Sequence, residues 1–301
     1  MITIYRRKII QVLAAVIYNL NFKGFAEGSI YRGRVKGVCV PGLNCYSCPG
    51  AIGACPLGSL QSALSDIQFK LPLYIAGTLI IFGILLGRAV CAFLCPFGLI
   101  QELLYKIPSP KIKKNKWTRR LSYLKYAILL AFVFAAPIYY MITSGAAVPA
   151  FCKYICPAGT LEGGIPLVAA NKSLQSLAGG LFVRKVVVLI TVVALSVFLY
   201  RFFCRFLCPL GAIYSFLFFN RHAIIGVDVD QSKCTDCGNC VRFCKMDTRR
   251  INDRECLRCG DCKQVCRENA IISKPHIHKK YKNKKRNEIA GQARNDGGEE
   301  L

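Results

Sequence analysis

Histidine is scarce in this 301-residue chain, with three residues, and no Cys-x-x-Cys-His stretch occurs. That excludes a multi-haem protein with c-type attachment. His222, His276 and His278 all follow the apolar part of the chain, so no bis-histidine haem can sit within it. Acidic residues are scarce as well: residues 1–220 hold only Glu27, Asp66, Glu102 and Glu162 of the sixteen. No phosphate-binding glycine loop and no nucleophile–base constellation is present, so a hydrolytic or phosphoryl-transfer site is not expected. A disordered chain is excluded by 53% hydrophobic residues and a mean hydropathy of +0.37. The length and apolar character also exclude a small disulfide scaffold.

What is abundant is positive charge and cysteine. Lysine and arginine total 41, for a net charge of +25, and there are 18 cysteines. A membrane half with basic flanks accounts for the charge without any nucleic-acid partner, and none is expected. The cysteines fall into Cys-x-x-Cys or Cys-x-x-x-Cys spacings, with only Cys39 and Cys55 outside them. Such spacing suits thiolate ligands of a soft metal or an iron–sulfur cluster, assembled where thiols stay reduced.

Four apolar stretches, at about 9–22, 71–87, 121–142 and 186–200, are near the length a bilayer core requires. The first also reads as a signal peptide, basic and then apolar, with a small-residue site near Ala26. Lys106, Lys111, Lys113, Lys114, Lys116, Arg119 and Arg120 place the loop 88–120 in the cytoplasm, and 143–182, with Lys153 and Lys172 alone, outside. Both termini then lie inside. Residues 23–70, with five cations, are expected outside because four spans require it. Phe97–Ile107 reads as a short amphipathic helix at the inner surface. The division expected is a membrane domain at 1–220, a cysteine-rich domain at 221–278 and a disordered basic tail at 279–301. The fold class is an α-helical membrane protein of about four internally duplicated transmembrane helices, with a C-terminal α+β two-cluster bacterial ferredoxin-like domain.

The membrane half is duplicated. Cys91-Ala-Phe-Leu-Cys95-Pro-Phe-Gly follows the second stretch and Cys204-Arg-Phe-Leu-Cys208-Pro-Leu-Gly follows the fourth. Cysteines at i and i+4 share a helix face, and the proline ends the pattern close to the sulfurs. Joined by a pseudo-twofold arrangement, Cys91, Cys95, Cys204 and Cys208 offer four thiolates to one inner cluster; buried apolar cysteines are the alternative. On the other side, Cys48, Cys55, Cys152 and Cys156 would mirror this set, with Cys45 a substitute for one of them. A disulfide between spares such as Cys39 and Cys45 is the alternative in an oxidising compartment.

The C-terminal region carries Cys234-x2-Cys237-x2-Cys240-x3-Cys244 and Cys256-x2-Cys259-x2-Cys262-x3-Cys266. This is the two-cluster ferredoxin spacing, in which the fourth cysteine serves the other cluster. One [4Fe–4S] cluster would use Cys234, Cys237, Cys240 and Cys266, and the other Cys256, Cys259, Cys262 and Cys244. Zinc is the alternative for four cysteines, but two full runs disfavour it. Lys245 and Arg267 stand where proline usually follows the fourth cysteine, and cations there favour the reduced cluster.

Through these Cys-Pro sites and twin runs, residues 1 to about 275 resemble the NapH/NosR-type membrane polyferredoxins. The Asn44-Cys45-Tyr-Ser-Cys48-Pro…Cys55-Pro stretch resembles a subset of that family. The resemblance implies a bacterial inner-membrane protein passing electrons between a quinone pool and redox partner proteins such as a reductase, ferredoxin or quinone-linked subunit. No counterpart of the NosR flavin-binding domain precedes the first stretch, so a flavin-dependent step is not expected. An electron-transfer subunit is therefore the leading expectation, with a maturation factor for a partner metalloenzyme and a redox sensor as alternatives.

Overall fold

A computed structural model describes residues 2–64, 73–145, 148–216 and 223–275. The expected tail at 279–301 and the start of the second apolar stretch lie outside these residues. The described part is mainly helical, with one two-stranded sheet near the C-terminus.

The duplicated unit is a helix, a sharp turn and two short helices joined at Cys-Pro. In the first copy, helix Leu73–Leu85 leads to Gly87, whose left-handed backbone (φ +52°) closes the end. Ala89–Phe93 and Pro96–Leu104 follow. In the second copy, Gly180–Phe198 is followed by Phe202–Phe206 and Pro209–Ser215. Cys95 and Cys208 are extended, as a residue before proline prefers, and the proline occupies the first turn of the next helix. Cys-Pro thus ends one helix and starts another. Gly98 is needed because a Cβ there would lie 3.0 Å from the Cys91 carbonyl oxygen. At Gly211 it would lie 3.1 Å from that of Cys204.

Among the described residues, two helices are long and apolar enough to cross a membrane, Lys116–Ser144 and Gly180–Phe198, and Leu73–Leu85 is a shorter apolar helix. The first begins at an Asn115 capping box with Thr118. Its π-helical stretch, Leu129–Ala135, runs up to Pro137, which can neither donate nor accommodate the carbonyl four residues back. The N-terminal stretch differs from expectation. Its helix runs Ile2–Tyr18 and carries Arg6, Arg7 and Lys8 within it, with Arg7 and Gln11 buried. Pro96–Leu104 differs too: its polar Gln101 and Glu102 are buried while the apolar Leu103 is exposed, so its polar side faces inward.

Strands β1 (Ile225–Val229) and β2 (Ile271–Pro275) pair antiparallel, Val227 opposite Ser273, and bracket both cysteine runs. This C-terminal unit is packed onto the duplicated half. Lys245 lies over the rings of Tyr105 and Tyr200 at 5.6 and 5.5 Å, and Arg205 Nε donates to Asp247 Oδ2 at 2.5 Å. Lys114 donates to the Cys244 carbonyl at 2.9 Å, and Arg119 to that of Asp247 at 2.9 Å. Part of the basic loop is therefore a docking surface.

Candidate iron–sulfur sites

Cys91, Cys95, Cys204 and Cys208 are all buried and within electrostatic range of one another. Gln101, six residues after Cys95, donates to Cys204 Sγ at 3.0 Å and accepts from the Phe203 amide at 2.9 Å. The Gly211 amide donates to Cys208 Sγ at 3.3 Å. Two fully buried arginines complete the frame. Arg201 Nη1 donates to the Cys91 carbonyl at 2.5 Å, and Arg88 Nη2 to the Cys204 carbonyl at 3.3 Å. Each arginine stands three residues before one first cysteine and holds the other. We call this set the proximal site, because it adjoins the C-terminal unit.

The distal set repeats the frame. Gln61, six residues after Cys55, donates to Cys152 Sγ at 3.4 Å and accepts from the Phe151 amide at 2.9 Å. The Gly159 amide donates to Cys156 Sγ at 3.4 Å. Cys45, Cys55, Cys152 and Cys156 line a cavity of about 1000 Å³. A Cβ on Gly159 would lie 3.6 Å from Cys45 Sγ, and one on Gly58 3.8 Å from Cys152 Sγ. Cys48 stands apart, its thiol directed to Asn19 Oδ1 at 3.5 Å, so the structure brings Cys45 rather than Cys48 into the set. All eighteen cysteines are free, and the Cys39–Cys45 disulfide is not formed. Glu162 accepts from the Cys45 amide at 2.7 Å; burial raises its carboxyl to about 7. Burial, with Glu162 adding to it, raises the Cys45 thiol to about 12. Cys152 is raised to the same value by burial, with Cys55 adding to it. Loading a metal group here therefore releases protons.

In the C-terminal unit, Cys262 interacts with Cys256 and Cys244, and Cys240 with Cys234 and Cys237. The backbone repeats in both runs: Asp236 and Arg258 are left-handed (φ +51° and +54°), as are Gly238 and Gly260 (φ +71° and +82°). The alternating handedness turns successive thiols and amides toward one centre. Cys237 is exposed, whereas Cys256 is buried.

The proximal and distal sets fit a [4Fe–4S] group. Backbone and amide N–H groups are aimed at sulfur in each of these two sites, as thiolate ligands of a cluster require. Among the described residues, no three histidine, cysteine, aspartate or glutamate side chains converge tightly enough for a single metal ion.

The sets are joined by short links. The Gly42–Asn44 stretch lies between the two: a Cβ on Gly42 would lie 3.1 Å from Cys95 Cα of the proximal site, and Leu43 and Asn44 line the distal cavity with Cys55. Glu255, next to Cys256, accepts from Arg88 at 2.6 Å and from Lys125 at 2.8 Å, all three fully buried. Burial alone would raise the Glu255 carboxyl, but Arg88 and Lys125 outweigh it and hold it at about 2. Arg88, Arg201, Gln61 and Gln101 were absent from the expected site residues. Their signal was their repeated position around the Cys-Pro motifs.

Residues 71–115, 126–165 and 180–226 each match a family described as a 4Fe-4S binding domain. Each matched segment contains one Cys-x-x-x-Cys-Pro, at Cys91, Cys152 and Cys204 in turn. The duplicated half is thus similar to 4Fe–4S binding domains. The chain is 29% identical to an uncharacterized protein of Methanocaldococcus jannaschii, covering 62% of this chain and 79% of that one. A second uncharacterized protein of that organism is also 29% identical, over 58% of this chain and 60% of its own length. The methylamine utilization ferredoxin-type protein MauN of Methylobacillus flagellatus is 26% identical, over 63% of this chain and 60% of its own length. No solved structure matches.

Proposed function

We propose that this protein is a membrane-bound electron relay with four [4Fe–4S] sites, of the kind its resemblance to NapH/NosR-type polyferredoxins implies. The four are the pair in the C-terminal unit, the proximal site and the distal site. The bound groups supply one-electron chemistry, and the chain contributes spacing, insulation and contacts. The observation that carries the reading is the unbroken series of links. Glu255 and Arg88 tie the Cys256 loop to the carbonyl of Cys204, and the Gly42–Asn44 stretch runs from beside Cys95 to the distal cavity that Cys55 lines. The exposed Cys237 marks the end of the chain of sites nearest a soluble partner. The docking of the C-terminal unit beside the proximal site supports putting both on the cytoplasmic side, as the basic loop implies. The distal site then faces the opposite side, where a quinone or partner subunit exchanges electrons with it. The ferredoxin-type relative MauN supports the electron-transfer class rather than a stand-alone enzyme.

The test is transfer across a bilayer. Protein in sealed vesicles, with the C-terminal unit outward, receives electrons from a reduced external low-potential dye that does not cross the membrane. The relay predicts reduction of an acceptor trapped inside, and loss of that reduction in Cys45→Ser. Equal rates in both proteins would refute it.

A further inference from the structure

We propose that Arg88 and Arg201 poise the proximal site at a higher reduction potential than the distal site, so that electrons shared between the two collect at the proximal one. This deepens the relay reading and rests on it.

The duplication provides an internal comparison. Both sites have a glutamine N–H on a sulfur, a glycine amide on a sulfur and a Cys-Pro turn in the same places. Those donors raise both potentials alike. The difference is three residues before the first cysteine. At the proximal site this position is Arg88 or Arg201; at the distal site it is Gly42 or Pro149. Proximal cysteine carbonyls receive guanidinium hydrogen bonds, whereas the distal Cys45 amide donates to a carboxylate, Glu162.

The charges behind the contacts agree. Glu102 pairs with Arg7, Lys8 and Arg201, and Glu255 with Arg88, Lys125 and Arg254, so each carboxylate faces three cations. Asp261 is the further acid in this network. The distal site has Lys36, held by the Ala51 carbonyl at 2.6 Å, and Lys185 on the cavity wall, set against Glu162. Neither lysine is bonded to a ligand backbone. Arg201 is moreover left-handed (φ +50°) while fully buried, a conformation that non-glycine residues keep only where surroundings impose it. Greater burial of the proximal sulfurs works the other way, since it disfavours the more negative reduced form. The same low dielectric strengthens the guanidinium field, which acts at contact distance and prevails. One electron passing from distal to proximal oxidises one group by one unit and reduces the other by one, with no bond, proton or further reactant involved.

The test is an EPR-monitored redox titration of the anaerobically purified full chain. The distal signal is the one lost in Cys45→Ser, and the proximal the one lost in Cys91→Ser. The wild type should reduce its proximal site at the higher potential. Arg201→Gln should lower the proximal reduced-to-oxidised ratio at fixed potential at least tenfold, about 59 mV for a one-electron couple. Arg88→Gln should act in the same direction, Arg201→Lys should restore most of the loss, and in the Arg201 variants the C-terminal pair should not move. An unchanged or raised proximal midpoint, or a distal site reduced first, overturns the proposal. Should Arg201→Gln fail to hold its group, Glu162→Gln reads the same difference from the other side. Titrated well above the Glu162 value of about 7, where the carboxyl is ionised, it must raise the distal midpoint, and no change there refutes the assignment. Absence of both membrane-half signals in the wild type overturns the relay itself, whereas four signals in reversed order overturn only this ordering.

Discussion

Replacing Glu255 by glutamine isolates the joint between the C-terminal unit and the duplicated half. The carboxylate, Arg88 and Lys125 are each 0% exposed, with contacts of 2.6 and 2.8 Å. Removing the negative charge leaves three buried cations, Arg88, Lys125 and Arg254, with only the neutral amide oxygen as replacement. Breaking a buried pair from one side costs about 3–5 kcal/mol. Glutamine keeps one acceptor, so the lower end, about 3 kcal/mol, applies. At about 1.4 kcal/mol per decade, docking weakens roughly hundredfold. Hydrogen exchange is the assay. Amides of residues 246–260 should lose about two orders of magnitude of protection, while β1 and β2 retain theirs. Arg119→Gln, which removes a partly exposed pair with Asp253 at 3.2 Å, should cost only about 1 kcal/mol. Unchanged protection in Glu255→Gln, or an equal effect from Arg119→Gln, would refute the reasoning.

Gln101→Leu removes a donor from Cys204 and the acceptor of the Phe203 amide, and should lower the stability of the loaded protein by about 1–3 kcal/mol in thermal unfolding. Cys45→Ser should lose about four irons per chain, whereas Cys48→Ser should lose none, as iron analysis reads directly. Gly98→Ala puts a methyl group 3.0 Å from the Cys91 carbonyl oxygen and 3.2 Å from Arg201 Nη1. Denaturant unfolding should show a loss of about 1–3 kcal/mol from that overpacking.

The three Cys-x-x-x-Cys-Pro-x-Gly motifs and the twin runs were legible because their chemistry is local. The spacing alone sets which thiols share a turn. Cys45 was harder to place. It pairs with Cys55 across ten residues of irregular chain, where no periodicity constrains a partner. A signal was nevertheless present: Cys55-Pro-Leu-Gly-Ser-Leu-Gln61 repeats Cys95-Pro-Phe-Gly-Leu-Ile-Gln101. That alignment makes Cys55 the counterpart of Cys95 and leaves the other ligand to come from upstream. Charge counting was blind to contacts in two places. Lys114 and Arg119 were counted in the loop placed in the cytoplasm, and the structure adds that they bond the Cys244 and Asp247 carbonyls of the C-terminal unit. Arg7 was counted as the flank of a span, yet it is buried against Glu102. A cation count cannot distinguish a charge facing water from one facing a carboxylate that only the fold delivers.

The central claim is that the duplicated half carries two iron–sulfur sites beside the ferredoxin pair. Iron and acid-labile sulfide per chain, measured on protein purified without oxygen, tests it most directly. Four [4Fe–4S] groups predict about sixteen irons and as many sulfides. A value near eight, unchanged in Cys91→Ser and Cys45→Ser, would confine the clusters to the C-terminal unit and contradict the account.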